Sequence, residues 1–298
     1  MTRLRGVFLP VITPFYQGEV DYESYVTLLT HYKDKGISGV IPLGTTGESP
    51  CVSPDEYHRI ITTTLEVIQD EIPVFAGIGG NYTDQVIQKI GKIEATGIAG
   101  ILSVCPYYNR PDQNGLLGHF QRISEATDLD IIIYNIPYRT GVNMSNDTLL
   151  ELAGLDNIVG VKDSCGDIKQ SLELIDRKPE GFSILTGEDH LFYTTIVNGG
   201  DGGILASAHL YTENYIDIFK RVERNDHQDA LGVWQKIKPI LPWLFQEPNP
   251  APLKYCLAAL GLIRAPEVRA PLADISTDLK KMLDAVVEND KNSMIGPC

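Results

Sequence analysis

The chain has few cysteines and no long hydrophobic run. Its 298 residues contain five cysteines that are far apart and form no CxxC pair: Cys51, Cys105, Cys165, Cys256 and Cys298. Scattered cysteines argue against a disulfide framework or a zinc site, so we expect reduced thiols and a cytoplasmic protein. No apolar stretch approaches the roughly 18–20 residues that a membrane-spanning helix requires.

The chain also lacks an excess of positive charge. It has 25 lysines and arginines against 39 aspartates and glutamates, which gives a formal net charge of −14. This charge repels nucleic-acid phosphates and anionic lipids, so neither a nucleic acid nor a membrane is expected as a partner. The 6 histidines form no cluster with ligand spacing, and we expect no metal site. A small anionic substrate is not excluded, because local arginines and backbone N–H groups can outweigh the global charge.

Strand-like runs alternate with helix-length segments along most of the chain. The runs lie at 7–13, 39–43, 73–78, 100–104, 131–135, 158–162, 183–187 and 202–206. Most intervals are about 25–35 residues, the length of a strand plus a crossover helix. Eight βα units without a long linker predict a (β/α)8 TIM barrel, with an open doubly wound sheet as the structural alternative. The segment Gly77-Ile78-Gly79-Gly80-Asn81 lacks the spacing of the phosphate-binding fingerprint that would favour the open sheet.

The pattern changes to helical segments beyond residue 225. These segments lie at 226–245, 250–261 and 276–290, and proline-containing stretches separate them. We therefore predict a barrel with the active site over 1–225. Residues 226–298 are expected to form a C-terminal helical extension packed on that barrel.

Polar residues directly follow several of the apolar runs. The relevant segments are Gly44-Thr45-Thr46-Gly47-Glu48, Pro106-Tyr107-Tyr108-Asn109-Arg110-Pro111 and Tyr134-Asn135-Ile136-Pro137-Tyr138-Arg139-Thr140-Gly141. A fourth run, 158–162, has Lys162 as its last residue. Active sites of parallel α/β proteins gather at the C-terminal ends of strands. Four such endings therefore predict one shared site.

Lys162 is the most informative of these residues. An amine at the edge of an apolar core is poorly hydrated, so its pKa falls and its neutral form can attack a ketone. Taken alone, such a lysine more often reaches solvent or pairs with Asp163 or another acid than it acts in catalysis. The other segments also have simple explanations: tyrosine packing, a tight threonine turn, an Arg139 surface ion pair and a structural Glu48. Their joint occurrence at strand ends favours catalysis.

Five segments carry a family resemblance over nearly the whole chain. They are Gly44-Thr45-Thr46-Gly47-Glu48-Ser49, Pro106-Tyr107-Tyr108-Asn109-Arg110-Pro111, Tyr134-Asn135-Ile136-Pro137 with Arg139-Thr140-Gly141, Gly160-Val161-Lys162 and Glu247-Pro248-Asn249-Pro250. The chain resembles the dihydrodipicolinate synthase / N-acetylneuraminate lyase family of class I pyruvate aldolases. The resemblance implies a lyase that condenses pyruvate with L-aspartate 4-semialdehyde to 4-hydroxy-tetrahydrodipicolinate, in lysine and diaminopimelate biosynthesis. It also implies a homo-oligomer, a dimer of dimers.

The resemblance also assigns roles to individual residues. Lys162 would form an imine with pyruvate, so that no other cofactor is needed, and Tyr134 would move protons at that imine. Thr45 would link Tyr134 to Tyr108, which would reach in from a neighbouring subunit. The substrate-binding residues implied are Thr46 for the pyruvate carboxylate, Arg139 for a carboxylate on the aldehyde, and Gly187 and Ile204 as pocket lining.

Some residues depart from the synthase pattern. Tyr138 stands where many synthases have a small residue. The segment after the lysine also differs from the sequence typical of many synthases; it is Asp163-Ser164-Cys165-Gly166-Asp167. A lysine–aspartate pair resembles relatives that act on 2-keto-3-deoxy sugar acids, so a sibling aldolase or dehydratase is the alternative. A non-catalytic barrel that binds keto acids is less favoured because Lys162, Tyr134 and Thr45 are all present. A metal-dependent aldolase lacks a ligand set.

The resemblance further bears on feedback inhibition by lysine. The polar groups of the family's lysine-binding pocket correspond to Ser49, Pro54, Tyr57, Asn81, Gln85 and Tyr107. Pro54 and Gln85 offer no imidazole or carboxylate for an ammonium group. We therefore expect weak or absent inhibition by lysine.

Overall fold

Eight parallel strands form the main sheet in the part of the chain that the structure describes. The computed structural model describes residues 4–295, and within that range the strands are β1 (Gly6–Leu9), β2 (Phe15–Tyr16), β3 (Glu19–Val20), β4 (Gly39–Val40), β5 (Phe75–Gly77), β6 (Gly100–Val104), β7 (Asp130–Asn135), β8 (Ile158–Asp163), β9 (Ser183–Thr186) and β10 (Gly202–Ile204). All except β2 and β3 belong to the parallel sheet. With helices between its strands, this sheet forms a nearly closed (β/α)8 barrel, which confirms the predicted fold class.

Helices follow the strands at most of the expected places. They are α1 (Tyr22–Lys33), α2 (Pro54–Ile68), α3 (Thr83–Gly91), α4 (Gln113–Glu125), α5 (Pro137–Thr140), α6 (Asn146–Leu152), α7 (Ile168–Arg177), α8 (Phe192–Val197), α9 (Thr212–Glu223), α10 (His227–Ile237), α11 (Leu241–Leu244), α12 (Ala251–Ala259) and α13 (Thr277–Ile295). Local chemistry fixes two of the starts. Asp21 caps α1 by accepting from Ser24 N, and Ser53 forms a reciprocal capping box with Glu56 at α2. No helix in residues 4–295 is both long and apolar enough to cross a membrane.

The chain groups into two compact units. The first comprises residues up to Gly6 and Pro73–Ile204, and the second comprises Val7–Ile72 and the residues from Leu205 onward. The division predicted at residue 225 stays a prediction. In the first unit β5 to β10 pair in chain order, each with the next, so the ends of consecutive strands lie side by side.

The second unit contains a short hairpin that the sequence did not indicate. β2 and β3 pair antiparallel around Gln17 and Gly18, whose φ angles are 54° and 84°. Both angles lie in the left-handed region that two-residue hairpin turns require. Strands of two residues are too short to show an alternating pattern, which is why sequence reasoning missed them.

Candidate active site

Lys162 and Tyr134 lie side by side at the C-terminal ends of neighbouring strands. They occupy the same register position of β8 and β7, and the Lys162 Nζ lies 4.3 Å from the centroid of the Tyr134 ring. Both are buried, each with only 6% of its surface exposed. The predicted burial of Lys162 is therefore present, and its amine lies over the Tyr134 ring.

Burial changes the acid–base behaviour of Lys162. Loss of hydration lowers the pKa of its amine to about 8, while the carboxylates of Asp189 and Glu188 oppose this shift and the Arg139 guanidinium adds to it. With this pKa, about a tenth of the amine is neutral at pH 7, far more than for an ordinary lysine. A neutral amine is the form that attacks a carbonyl carbon.

Gly187 packs directly against the Lys162 side chain. It follows β9, and its N–H donates to the Asp163 carbonyl at 2.7 Å. A Cβ at this position would lie 2.6 Å from Lys162 Cε and would collide with Ser164 Oγ. Only glycine leaves room for the lysine here, so this predicted pocket residue lies beside Lys162.

Arg139 is close enough to Lys162 for its charge to affect the pKa of the lysine. It lies on α5, which begins directly after β7 with Pro137 and ends at Gly141, where φ is 76°. Its side chain is exposed, and the guanidinium carbon lies 5.6 Å from the centroid of the Tyr138 ring. The Arg139 charge acts on Lys162 through space, and an exposed guanidinium is available to bind a carboxylate.

Tyr108 and Ile204, two further predicted site residues, differ in burial. Tyr108 is 90% exposed and has a φ of 71°, which is strained for a bulky residue. Its ring is therefore not packed into the Lys162 group within this chain. Ile204 ends β10 and is only 1% exposed.

Thr45 and Thr46 belong to the second unit. They lie in the threonine turn, which we define as residues 44–48, after β4. The turn is closed by hydrogen bonds from Gly47 N to Gly44 O and from Glu48 N to Thr45 O, both 3.1 Å. Asn249 donates its amide N–H to the Thr46 hydroxyl oxygen at 3.0 Å. The sequence named the segment that contains Asn249 but gave this residue no role.

Glu188 and Asp189 are charged neighbours of Lys162 that sequence reasoning missed. Both follow β9, and the Glu188 Oε1 atom is buried without a hydrogen-bond partner. Burial and, to a smaller extent, the Asp189 charge raise the pKa of Glu188 to about 7, while Lys162 opposes the shift. The rule that predicted the other site residues, polar groups after an apolar run, also applies to this pair.

The Glu188 carboxylate is expected to tune the pH dependence of pyruvate capture. The Lys162 amine gains its reactive neutral form as the pH rises through a pKa of about 8, and the Glu188 charge holds that pKa up. In Glu188→Gln the midpoint of borohydride-trapped capture should therefore move to lower pH, by at most about one unit. The control Glu180→Gln, which changes an exposed residue, should leave the midpoint unchanged. An unchanged midpoint in Glu188→Gln would show that Glu188 has no influence on Lys162.

Comparison with known proteins assigns the family. The model of the dihydrodipicolinate synthetase family matches residues 3–290. This chain belongs to that family.

Among the described residues, no three His, Cys, Asp or Glu side chains are grouped so that they could hold a metal ion.

Individual members of the dihydrodipicolinate synthetase family are similar over almost their full length. The chain is 52% identical to 4-hydroxy-tetrahydrodipicolinate synthase 2 of Clostridium acetobutylicum over 95% of this chain and 99% of that protein. The dihydrodipicolinate synthase structure from Thermotoga maritima superposes with a TM-score of 0.94 at 34% identity, covering 97% of this chain and 99% of that one. The chloride-inhibited enzyme from Acinetobacter baumannii, complexed with pyruvate, has a TM-score of 0.93 at 32% identity and the same coverage.

Proposed function

We propose that this protein condenses pyruvate with L-aspartate 4-semialdehyde to give 4-hydroxy-tetrahydrodipicolinate. The observation that carries the proposal is a buried Lys162 with a lowered pKa, 4.3 Å from the Tyr134 ring at the C-terminal edge of a (β/α)8 barrel. Relatives that carry the synthase name support the choice of substrates. The protein is thus a lyase that acts on small molecules, in lysine and diaminopimelate biosynthesis.

The proposed reaction begins at the amine. Neutral Lys162 attacks the pyruvate ketone, and with uptake of one proton and loss of one water it gives a protonated imine whose positive charge acidifies the methyl group. The methyl loses a proton, and the resulting enamine carbon attacks the aldehyde carbonyl. The α-amine of the aldehyde then displaces Lys162 from the imine carbon and closes the ring. Tyr134 carries protons in these steps, and the imine itself takes the place of a cofactor.

We assign the remaining site residues to binding and to the proton path. Thr46 and the backbone N–H groups of the threonine turn hold the pyruvate carboxylate, while Gly187 and Ile204 line the pocket. Arg139 binds the carboxylate of the aldehyde through a two-point contact. Thr45 is assigned, with Tyr134 and Tyr108, to the proton path.

The exposed tyrosines of the first unit support a homo-oligomer. Tyr108 is 90% exposed, and Tyr82 and Tyr107 are 54% and 41% exposed. Aromatic side chains on a surface are typical of protein interfaces. We propose that Tyr108 completes the active site of a second copy, in a dimer of dimers that works in the cytoplasm. Sedimentation velocity at assay concentration measures the assembly, and a monomer would contradict it.

Asp163, the residue behind the sugar-acid alternative, has a structural role in the loop after Lys162. Its carboxylate accepts from Cys165 N at 3.0 Å and from Ser171 Oγ at 2.5 Å. These two hydrogen bonds hold the loop between β8 and α7, which gives a structural explanation for the unusual sequence after Lys162.

Turnover of pyruvate with L-aspartate 4-semialdehyde, coupled to a dihydrodipicolinate reductase, tests the proposal. Absence of turnover in protein that still captures pyruvate would transfer the assignment to 2-keto-3-deoxy sugar acids.

Inhibition by lysine is expected to be weak or absent. The positions that correspond to the family's lysine-binding pocket include Pro54 and Gln85, neither of which carries a charge to hold an ammonium group. Steady-state rates should therefore stay near the uninhibited value at lysine concentrations of about 1 mM. Strong inhibition below that concentration would show that other groups bind lysine.

A further inference from the structure

A buried ion pair in the second unit has no role in the reaction as proposed. The Lys254 Nζ lies 2.5 Å from Glu48 Oε1, and the two side chains are 0% and 1% exposed. The residues are 206 positions apart in the sequence, Glu48 at the end of the threonine turn and Lys254 on α12. The pair therefore joins two distant segments of the chain at one point.

Each charged group of this pair makes a further contact. The second carboxylate oxygen of Glu48 accepts from Arg269 N at 3.0 Å, and Lys254 Nζ also donates to the Glu267 carbonyl at 2.8 Å. The ammonium group lies 4.2 Å from the centroid of the Phe15 ring. One carboxylate thus connects the threonine turn to both α12 and the segment that follows it.

The turn itself is strained at both borders. Leu43 and Glu48 have φ angles of 61° and 52°, in the left-handed region that side chains other than glycine rarely adopt. Between them, the Thr13 hydroxyl donates to Gly47 O at 2.7 Å. Strained backbone persists only where the surroundings over-determine it. The contacts of Glu48 supply such a constraint at the C-terminal border.

Stability alone gives a poor reason for such a pair. Removing two charges from water costs free energy that their attraction often fails to return, and apolar residues of the same size are frequently as stable. What an apolar pair cannot provide is a fixed position for the turn through directed hydrogen bonds. Asn249, five residues before Lys254, donates to Thr46 and so ties the start of the same helical segment to the turn.

We infer that Glu48 and Lys254 are positioning residues, which hold the threonine turn in the geometry that binds the carboxylate of pyruvate. The inference rests on the proposed function, because it takes pyruvate binding at Thr46 from it. It adds that affinity for pyruvate depends on the Glu48–Lys254 ion pair, although neither residue touches the substrate.

Three variants and a control separate positioning from stability. Lys254→Met leaves a buried unpaired carboxylate, so it is expected to lower the melting temperature and to weaken pyruvate binding. The double variant Glu48→Gln/Lys254→Met removes both charges and should regain most of the melting temperature. Lys254→Arg keeps the positive charge and should therefore retain part of the melting temperature and pyruvate binding that Lys254→Met loses. Lys33→Met removes an ion pair with Glu71 at 2.9 Å elsewhere in the second unit and should leave pyruvate binding unchanged.

The decisive measurement is the pyruvate concentration for half-maximal borohydride trapping in the double variant. Positioning predicts that it rises about 10- to 100-fold although the melting temperature is regained, with the trapping rate at saturation nearly unchanged. A wild-type half-saturation value in the double variant would overturn the inference. If wild-type protein itself traps no pyruvate, the proposed function fails instead, and the two failures are thereby distinguished.

Discussion

Lys162→Met is expected to abolish covalent capture of pyruvate and to lower turnover by about 10⁴-fold or more, because it removes the proposed nucleophile. The methionine side chain has nearly the same length, so the pocket between Tyr134 and Gly187 stays filled. Burial already disfavours the ammonium form of Lys162, whose pKa is lowered to about 8. The variant should therefore be at least as stable as the wild type.

The measurements are mass spectrometry after borohydride treatment with pyruvate, the coupled turnover assay and the melting temperature. Lys169→Ala, which removes an exposed lysine of α7, is the control for general effects of losing a positive charge. Capture that persists in Lys162→Met would place the imine on another lysine. Turnover that persists without any trapped adduct would exclude the imine mechanism altogether.

The fold was largely predictable because its signals are local. Each of the eight barrel strands overlaps a predicted apolar run, and each run is short enough to indicate a buried strand. The helix starts at Asp21 and Ser53 follow from capping chemistry that involves only three or four residues. The β2–β3 hairpin was missed because its strands carry no periodic pattern.

The site was predictable only in part, because some of its contacts join residues far apart in the chain. The positions of Lys162 and Tyr134 follow from the rule for strand ends, and the same rule would have identified Glu188 and Asp189. The pairing of Glu48 with Lys254 has no local signal. A lysine on an otherwise apolar helix such as α12 is the one hint, because a fully buried ammonium requires a partner. The sequence could not name that partner.

Arg139→Ala is expected to separate the two substrates. The exposed guanidinium at α5 is assigned to the carboxylate of the aldehyde, so its loss should lower kcat/KM for L-aspartate 4-semialdehyde by about 10²- to 10³-fold. Pyruvate capture should persist. The Arg139 charge contributes to the lowered pKa of Lys162, so removing it raises that pKa somewhat. Capture is therefore best compared at about pH 9, where the amine is mostly neutral in both proteins.

Two further variants make this result specific. Arg139→Lys keeps the positive charge but loses the planar fork, so it should recover only part of the lost kcat/KM. Arg122→Ala removes an exposed arginine that pairs with Asp84 in the same unit, and it should behave as wild type. Loss of capture at every pH in Arg139→Ala would mean that Arg139 serves the pyruvate site. Unchanged turnover would reduce Arg139 to a surface charge with no part in binding the aldehyde.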